Sequence, residues 1–319
     1  MKSKRIKIAL TIFILILLSC NLLYFVCKSN QEQLVINGDI RHEAPGQFVE
    51  LTHGKTHYQL RGNKDSELIL FIHGGGVSGM EVWDKNVNYF LKRGFSTLTY
   101  DLFGRGYSDR PDVRQNPELF HNQLVELLDT LEISGNISVV ALSLGAITAL
   151  DFFDSHSEIV NKIILIDPIA SGSFTPKSIL TFPVLSDFIL TTYWYPRAIA
   201  KQKKEFVNQE LFDQYSKRLS FFMNIEGYKK MNLSTWKYML TQDKLDILRR
   251  INPGKVLILY GDQDPYFSYG QQYQYLSQFP DIQMIEIDSA GHMPQYEQPG
   301  QSNKIMAEFL LTAHQLVRL

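Results

Sequence analysis

One serine stands at the centre of a short pattern with small residues on either side, Ala141-Leu142-Ser143-Leu144-Gly145. A hydroxyl at the apex of a tight turn between a strand and a helix is exposed for attack on a carbonyl carbon. Small residues two positions before and after the serine relieve the crowding of such a strained turn. The amide of Leu144 is then free to donate to an oxyanion. The pattern predicts a nucleophile at Ser143, although a serine that caps a helix fits the same residues.

A serine nucleophile needs a base and an acid, and both residue types follow late strands of the chain. Histidine takes the serine proton near neutral pH, and a buried carboxylate fixes its tautomer and offsets its developing charge. Asp264 follows the apolar segment Lys255–Tyr260, and His292 follows Gln283–Ile287. Because the carboxyl ends of parallel strands share one sheet edge, the chain order predicts that these residues converge with Ser143.

A glycine-rich loop, His73-Gly74-Gly75-Gly76, directly follows the apolar run Leu68–Ile72. Glycines let the backbone turn sharply and offer unobstructed N–H groups to a substrate oxygen. A cluster of glycines is often a plain turn. Its position after a central strand predicts instead that it borders the site.

The elements around these residues alternate between short apolar strands and amphipathic helices after an antiparallel hairpin. Unbroken apolar runs are typical of strands buried on both faces, and strand–helix alternation indicates a mostly parallel sheet. The predicted fold class is therefore α/β, a mostly parallel, doubly wound sheet. The predicted strands are Gln47–Leu51, Thr56–Arg61, Leu68–Ile72, Ser96–Tyr100, Ile137–Ala141, Lys162–Ile166, Lys255–Tyr260 and Gln283–Ile287, and the predicted helices lie near Val82–Lys92, Pro117–Leu131, Leu144–Ser155 and Ser302–Leu316.

The strand–helix alternation is interrupted between residues 168 and 252, where aromatic residues recur at helix-like spacing. An insertion at the carboxyl ends of parallel strands lies over the ligand crevice. We therefore predict an inserted helical cap. Its aromatic residues are candidates to line an apolar pocket, although aromatics at this spacing also form the core of a cap. These residues are Phe182, Phe188, Tyr193, Trp194, Tyr195, Phe221, Phe222 and Trp236.

The N-terminus carries basic residues followed by an apolar run from Ile8 to Val26. This run nearly spans a hydrocarbon core of about 30 Å as a helix. Because the basic residues precede it, an uncleaved anchor would place the body outside the cytoplasm. Residues 17–20 also resemble the lipobox of bacterial lipoproteins, in which Cys20 would be lipidated. A cleaved signal peptide is the third alternative.

These patterns divide the chain into five segments. Residues 1–28 are the anchor or signal, 29–45 a polar linker, 46–167 the first part of the core, 168–252 the cap and 253–319 the second part of the core.

The composition limits the partners that the chain is expected to have. Thirty-two Lys and Arg against 33 Asp and Glu give a formal net charge of -1, so there is no electrostatic argument for nucleic acid. Cys20 and Cys27 are the two cysteines, which leaves residues 28–319 without thiol chemistry. No metal or organic cofactor is implied. His42, His53 and His57 are assigned to the hairpin region and expected to face solvent.

From about residue 46 to 312 the chain resembles the α/β-hydrolases that carry a cap. The resemblance implies that Ser143 is the nucleophile, Asp264 the acid and His292 the base, with the amides of Gly75 and Leu144 forming the oxyanion hole. The motifs that carry it are the runs at residues 70–76 and 101–109, the turn around Ser143, the acidic turn at 261–265 and the Gly-His pair at 291–292.

Several positions refine this resemblance. Ala141 replaces the first glycine of the usual serine turn but is still small. Asp167 stands where some members of the family carry the acid, and it is the alternative to Asp264. By the same resemblance, His73 orients its loop, and Asp101–Ser108 form a glycine turn that shapes the site.

A serine at the turn argues against the members of the family that attack with aspartate, which leaves acyl transfer to water. The favoured substrate is a carboxylic ester, and the anchor beside an aromatic cap suggests a lipophilic one, such as a monoacylglycerol or lysolipid. Carbon–carbon bond hydrolases of aromatic ring breakdown are similar in the glycine loop, but they typically carry Trp after the Gly-His pair, where this chain has Met293. A ligand-binding member of the fold without catalysis is a third alternative.

Overall fold

An eight-stranded sheet forms the centre of the protein in a computed structural model that describes residues 2–172, 174, 177–267 and 269–311. The strands are β1 (Gln47–Leu51), β2 (Gly54–Arg61), β3 (Leu68–Ile72), β4 (Ser96–Tyr100), β5 (Ile137–Leu142), β6 (Val160–Ile166), β7 (Val256–Gly261) and β8 (Gln283–Ile287). Their order in the sheet is β1-β2-β4-β3-β5-β6-β7-β8. β2 pairs antiparallel with β1 and β4, and the remaining pairs are parallel.

Helices cover both faces of this sheet. They are α1 (Lys2–Lys28), α2 (Gly38–His42), α3 (Val87–Leu91), α4 (Pro117–Thr130), α5 (Gly145–His156), α6 (Pro183–Ile189), α7 (Ala198–Gln202), α8 (Gln209–Met223), α9 (Tyr228–Tyr238), α10 (Leu245–Arg250), α11 (Tyr269–Gln278), α12 (Pro294–Glu297) and α13 (Pro299–Leu311). Leu68, Leu70 and Ile72 of β3 pack in one layer with α4 and α5, whereas Ile69 and Phe71 pack in the other with α3 and α13. The predicted mostly parallel, doubly wound sheet is confirmed.

The predicted helix near Val82–Lys92 is instead two short elements, a 3₁₀ helix at Gly79–Trp83 and α3. Asn86 separates them, and its buried side chain donates to Gln295 O at 2.9 Å and to Asn303 Oδ1 at 2.7 Å. These bonds tie the connection to the C-terminal part of the chain and redirect it. The last predicted helix begins earlier than expected, at Pro299, and residues 312–316 of the prediction lie outside the described residues.

Residues 168–252, the cap, contain α6 to α10 and several single-turn helices, and their described part has no strand. The cap follows β6 and precedes β7, so both of its ends leave the sheet at two neighbouring parallel strands, of which β7 is next to the edge strand β8. α10 packs in the core layer beside α5, held by the ion pair of Lys244 with Asp151 at 2.6 Å. The other cap helices lie on the side of the glycine loop and of Ser143.

Part of the predicted polar linker, residues 31–34, packs against the cap. Gln31 is buried, and its Nε2 donates to Thr191 O at 2.8 Å. Leu34 exchanges backbone hydrogen bonds with the cap, donating to Asn224 O at 2.9 Å and accepting from Glu226 N at 2.7 Å. Gln31 and Leu34 therefore form hydrogen bonds with the cap, and the spacing of residues along the chain does not predict these bonds.

His57 is buried, with 1% of its surface exposed, so the expectation that it faces solvent is wrong. Its Nδ1 lies 2.7 Å from Asp101 Oδ2, and its Nε2 lies 2.7 Å from Pro45 O. Burial disfavours the charged imidazole, but the hydrogen bond and attraction of Asp101 outweigh it and raise the pKa of His57 above its ordinary value. His42 lies at the end of α2 and His53 in the hairpin turn, and both are exposed.

Asp101 organises the glycine turn that follows β4. Its carboxylate accepts from Met80 N at 2.7 Å, from Tyr107 N at 2.9 Å and from His57. Gly79 and Gly106 have positive φ, and a Cβ on either would lie within about 2.1 Å of a carboxylate oxygen. The resemblance to the family predicts a turn that shapes the site, and this buried carboxylate is its centre.

Replacing Asp101 with alanine is expected to lower the free energy of unfolding by about 3–5 kcal/mol. The loss leaves the His57 ring and two buried amides without their acceptor. Chemical denaturation at neutral pH measures it. Asp112→Ala is the matched control, because Asp112 pairs with Lys230 at the surface and is expected to contribute less than about 1 kcal/mol. Equal effects of the two substitutions would contradict the role given to Asp101.

Candidate active site

Ser143 occupies the tight turn between β5 and α5 in the strained conformation that its flanking residues predict. Its φ is +54°, a left-handed value that L side chains rarely adopt. The turn is held by a hydrogen bond from Ser143 N to Ile166 O at 2.8 Å. Gly145 is required by the close approach of α5 to β3, since a Cβ there would lie 2.7 Å from His73 O. The strain and packing together point the hydroxyl into the site above the sheet.

The structure brings Ser143, His292 and Asp264 into one hydrogen-bonded chain. Ser143 Oγ lies 2.9 Å from His292 Nε2, and His292 Nδ1 lies 2.8 Å from Asp264 Oδ2. All three side chains are buried, with 5%, 7% and 7% of the residue surface exposed. Asp264 Oδ1 accepts from Tyr266 N at 2.7 Å, which fixes the carboxylate plane. This geometry can transfer the serine proton to the imidazole and stabilise the imidazolium.

Charge and burial act in opposite directions on these two titrating groups. Burial disfavours the carboxylate of Asp264, but His292 and the other hydrogen-bond partners outweigh it and lower the pKa of Asp264. Burial also disfavours the imidazolium of His292, but Asp264, with a smaller contribution from Glu205, raises the pKa of His292 above its ordinary value. The pair therefore favours the charged form of each partner.

Asp167, the alternative acid, lies beside Asp264 and forms no hydrogen bond with His292. It is fully buried, has a φ of +43°, and its Oδ1 accepts from Gly261 N at 3.2 Å. Burial and the neighbouring charge of Asp264 raise the pKa of Asp167 well above the usual range. The shift favours the protonated form of Asp167, which lies behind the pair and does not face the imidazole.

Among the residues that the structure describes, one group of side chains at the site offers donor atoms for a metal ion. Asp167, Asp264 and His292 present ligand atoms within 4.8 Å of one another. Both nitrogens of His292 already have partners, in Asp264 and Ser143, and the raised pKa of Asp167 favours its protonated form. A neutral carboxyl is a poor metal ligand. The donor set therefore fits a hydrogen-bonded chain better than a metal site.

The amides of Gly75 and Leu144 border the same space as the Ser143 hydroxyl. Within the described residues neither amide has a hydrogen-bond partner. Gly74 packs beneath them, since a Cβ there would lie 3.0 Å from Ser143 Cβ. Two unpaired N–H groups beside a nucleophile are suited to donate hydrogen bonds to an oxyanion. Their roles remain those that the sequence predicts.

His73 holds the glycine loop against the turn that follows β4. Its Nε2 accepts from Leu102 N at 2.9 Å, so Nδ1 carries the proton and donates to Gly74 O at 2.7 Å. Burial lowers the pKa of His73 to about 4, which keeps the ring neutral in this tautomer. A neutral histidine with both nitrogens satisfied orients its loop, which is the role that the resemblance to the family implies for it.

Two residues near His292 were not predicted from the sequence, Glu205 of the cap and Tyr266. The backbone oxygen of Glu205 accepts from His292 N at 2.8 Å. Its carboxylate accepts from the Tyr266 hydroxyl at 3.0 Å, and the Tyr266 ring packs edge-on against the imidazole at 5.0 Å. The cap therefore contacts the histidine directly. Residue types and spacing gave no signal for this contact.

Glu297 also joins the cap to the histidine loop. Its Oε2 accepts from Gly291 N at 2.7 Å, and its Oε1 accepts from Val207 N and Asn208 N, both at 2.8 Å. A single buried carboxylate thus satisfies amides from the two segments. This arrangement holds His292 in place while the cap covers it.

The pH dependence of hydrolysis tests the electrostatics of His292. A base must be neutral to take the serine proton, so kcat/KM is expected to rise with pH through a midpoint above the ordinary histidine pKa. Glu205→Gln removes a charge that favours the imidazolium and is expected to shift this midpoint to lower pH. Glu118→Gln, on the exposed face of α4, is the control and is expected to leave it unchanged. A shift to higher pH for Glu205→Gln would contradict this account.

A cavity of about 770 Å³ opens beside Ser143 and His292, with the cap as its roof. Its walls are largely apolar and include Leu142, Ile169 and Leu190. Of the eight cap aromatics proposed as lining residues, Tyr193, Trp194 and Trp236 border it. The expectation is wrong for the other five. Phe182 is exposed, Phe188 stacks on Tyr24, Tyr195 packs on Tyr228, and Phe221 and Phe222 pack on Tyr107.

A mostly parallel sheet with a strained serine between a strand and a helix, and with histidine and aspartate after later strands, defines a hydrolase of the α/β class. Residues 69–303 match the alpha/beta hydrolase family. The chain therefore belongs to this family.

Two similar curated proteins are hydrolases of dienoate compounds. One is 2-hydroxy-6-oxononadienedioate/2-hydroxy-6-oxononatrienedioate hydrolase of Comamonas testosteroni, 23% identical over 286 residues, which are 85% of this chain and 98% of that protein. The other is 2-hydroxy-6-oxo-6-phenylhexa-2,4-dienoate hydrolase of Burkholderia cepacia, 23% identical over 290 residues, with the same coverage of 85% and 98%.

Among solved structures, the esterase EaEST from Exiguobacterium antarcticum superposes with a TM-score of 0.70 at 17% identity, covering 84% of this chain and 100% of that one. The enol-lactonase from Burkholderia xenovorans LB400 gives a TM-score of 0.67 at 17% identity, covering 83% and 99%. At these identities the likeness supports the fold alone.

Proposed function

We propose that the protein is a serine hydrolase that cleaves a carboxylic ester through an acyl-enzyme on Ser143. The hydrogen bond of 2.9 Å between Ser143 Oγ and His292 Nε2, beside two unpaired amides, carries this proposal. Oγ attacks the carbonyl carbon while His292 takes its proton, and the oxyanion is held by Gly75 N and Leu144 N. His292 then protonates the departing alkoxide. Water, deprotonated by His292, then attacks the acyl-enzyme, and His292 returns the proton to Ser143 Oγ as the acid leaves.

Hydrolysis of a carbon–carbon bond beside a ketone is the second candidate. The curated relatives described above favour it, because their names place the reaction on oxo-dienoates. The nucleophile, base and amides would have the same positions. The difference lies in the leaving group, which would be a carbon that must be protonated, and in the need to hold a substrate carboxylate.

Arg105 supplies an observation in favour of an anionic substrate group. It borders the cavity with 2% of its surface exposed, and its Nη2 donates to Thr235 Oγ1 at 2.7 Å. Burial lowers the pKa of Arg105 to about 10, so it stays charged at neutral pH. Within the described residues no carboxylate pairs with it. A buried unpaired cation suits a dienoate carboxylate, and it suits a lysolipid phosphate equally.

Parallel assays distinguish the candidates. The full-length protein is given p-nitrophenyl esters of short and long chain length and, separately, 2-hydroxy-6-oxo-6-phenylhexa-2,4-dienoate. Turnover of the esters with no cleavage of the dienoate supports the first proposal, and the reverse supports the second. A fluorophosphonate probe, followed by peptide mass spectrometry, is expected to place the adduct on Ser143. Folded protein that neither reacts with the probe nor turns over either substrate class would be a binding protein of this fold.

We also propose that α1 anchors the protein in a membrane, with the catalytic body outside the cytoplasm. Residues Ser3–Lys28 form one helix that contains an 18-residue window with a mean hydropathy of 2.5, so the helix is long and apolar enough to cross a membrane, a test that signal sequences also pass. Mass spectrometry of the mature protein separates the alternatives. An intact N-terminus supports the anchor, a lipid on Cys20 supports the lipoprotein, and a start beyond Lys28 supports secretion.

A further inference from the structure

The cap segment formed by residues 177–194, here called the cap rim, carries a cluster of exposed apolar side chains. It contains a 3₁₀ helix at Ser178–Thr181, α6, and a π-helix at Leu190–Trp194. The exposed residues are Ile179 (43%), Phe182 (60%), Val184 (83%), Leu185 (47%) and Tyr193 (54%). Five large apolar residues exposed within 15 positions are more than the scattered ones that a soluble surface carries, so this surface suits an apolar partner.

The cap rim lies directly beside the membrane-length helix α1. The Tyr24 ring stacks on Phe188 with centroids 6.1 Å apart, and the Tyr24 hydroxyl donates to the Asp187 carboxylate. Cys20, Tyr24 and Cys27, spaced at i, i+4 and i+7, are partly buried, whereas the residues between them are exposed. One stripe of α1 therefore packs on the cap, and the rest of the helix remains free to contact lipid.

This contact fixes the depth of the cap rim relative to a bilayer. Tyr24 precedes Lys28 by four residues, a rise of about 6 Å along a helix, and lies in the last turn of the apolar run. A bilayer that surrounds this run must therefore reach the level of α6. The packing of residues 29–34 on the cap makes the link rigid: Gln31 bonds to Thr191, and Lys229 pairs with Glu32 at 3.4 Å.

Basic side chains lie at the Tyr193 end of the apolar cluster. Arg197 lies over the Tyr193 ring at 4.5 Å and Lys201 at 5.4 Å, and Lys203 and Lys204, which follow in the chain, are exposed. Aromatic rings with neighbouring lysine and arginine are typical of the boundary between acyl chains and headgroups. The charges favour anionic headgroups.

The inner side of the cap rim borders the cavity beside Ser143. Ile179, Leu180, Ile189, Leu190, Tyr193 and Trp194 line it. Ile179 and Tyr193 belong to both surfaces, since they border the cavity and are also exposed. The apolar wall of the cavity is therefore continuous with the exposed apolar cluster.

We propose that the cap rim is seated in the headgroup–acyl boundary of the membrane that α1 enters, and that the cavity receives amphiphilic substrates directly from the lipid. The substrate class is then a single-chain lipid whose reacting carbonyl is near its polar end, so that the chain follows the apolar wall. The substrate class rests on the proposed function, whereas the position of the cap rim in the membrane does not depend on it.

Spin labelling tests the seating without any assay of activity. Full-length protein with Cys20→Ser and Cys27→Ser carries Val184→Cys, labelled with a nitroxide, in vesicles of phosphatidylcholine and phosphatidylglycerol. The label is expected to collide more often with oxygen than with a water-soluble nickel chelate. Leu276→Cys on α11, which is also exposed, is the matched control and is expected to favour nickel. Equal nickel access at both positions, or dipolar broadening between copies at position 184, would overturn the proposal.

Turnover tests the route of the substrate. In the same vesicles, Val184→Asp is expected to lower the hydrolysis of a membrane-dissolved monoacylglycerol about tenfold, the equivalent of losing one buried valine contact with lipid. Hydrolysis of water-soluble p-nitrophenyl acetate is expected to stay unchanged, as are both rates in Leu276→Asp. An unchanged monoacylglycerol rate overturns the route. If wild-type protein hydrolyses neither ester, the proposed reaction fails while the spin-label result still decides the seating.

Discussion

Replacing Ser143 with alanine is expected to lower kcat for the substrate identified by the parallel assays by about 10⁶-fold, to the residual rate that the site supports without its nucleophile. The alanine cannot form the covalent intermediate, and His292 loses the group whose proton it takes. Steady-state kinetics on purified protein measures the loss. The fold is expected to persist, because the strained turn at residue 143 is held by backbone bonds to Ile166 and Ala146, which the substitution leaves in place.

Ser138→Ala is the matched control for this substitution. Ser138 is a buried serine on the same strand, and its hydroxyl bonds to Glu67 at 2.5 Å, away from His292. Its loss is expected to change kcat less than about tenfold, since its hydroxyl forms no hydrogen bond in the site. A Ser143→Ala protein that retains wild-type turnover while folded would remove the serine from the reaction.

The inner strands of the sheet were predictable because burial on both faces requires short runs of residues that can be buried. Four strands have the predicted bounds, Gln47–Leu51, Leu68–Ile72, Ser96–Tyr100 and Gln283–Ile287, and the other four differ by one or two residues at one or both ends. Topology then explains why Ser143 and His292 meet. Parallel strands end at the same edge, so residues 149 positions apart in the chain come within a hydrogen bond.

Contacts made by the cap and by the linker were not predictable in the same way. His57 lies on a hairpin strand whose alternating sequence gives no sign that this histidine is buried. Its buried ring is held by Asp101, which is 44 residues away in the chain. Glu205 reaches His292 only because the cap folds back over the sheet edge. The spacing of the cap aromatics predicts helical faces but not which face meets the cavity, α1 or the cap's own core. Such pairings are set by tertiary packing, which local patterns do not encode.

The sequence left two candidates for the acid, Asp264 and Asp167. Substitution of each is expected to lower kcat by very different factors. Asp264→Asn is expected to lower kcat about 10⁴-fold, because an amide can stabilise the wrong tautomer of His292 and offers no charge to the imidazolium. Asp167→Asn is expected to stay within about tenfold of wild type, since Asp167 has no hydrogen bond to His292, and its raised pKa favours a protonated carboxyl that an amide of the same shape can replace. The rise of activity with pH is expected to move to lower pH in Asp264→Asn, as the raised pKa of His292 depends on this carboxylate. If Asp167→Asn is instead the inactive variant and Asp264→Asn keeps its turnover, the acid follows β6, and the hydrogen bond of 2.8 Å between His292 and Asp264 is not the one used in catalysis.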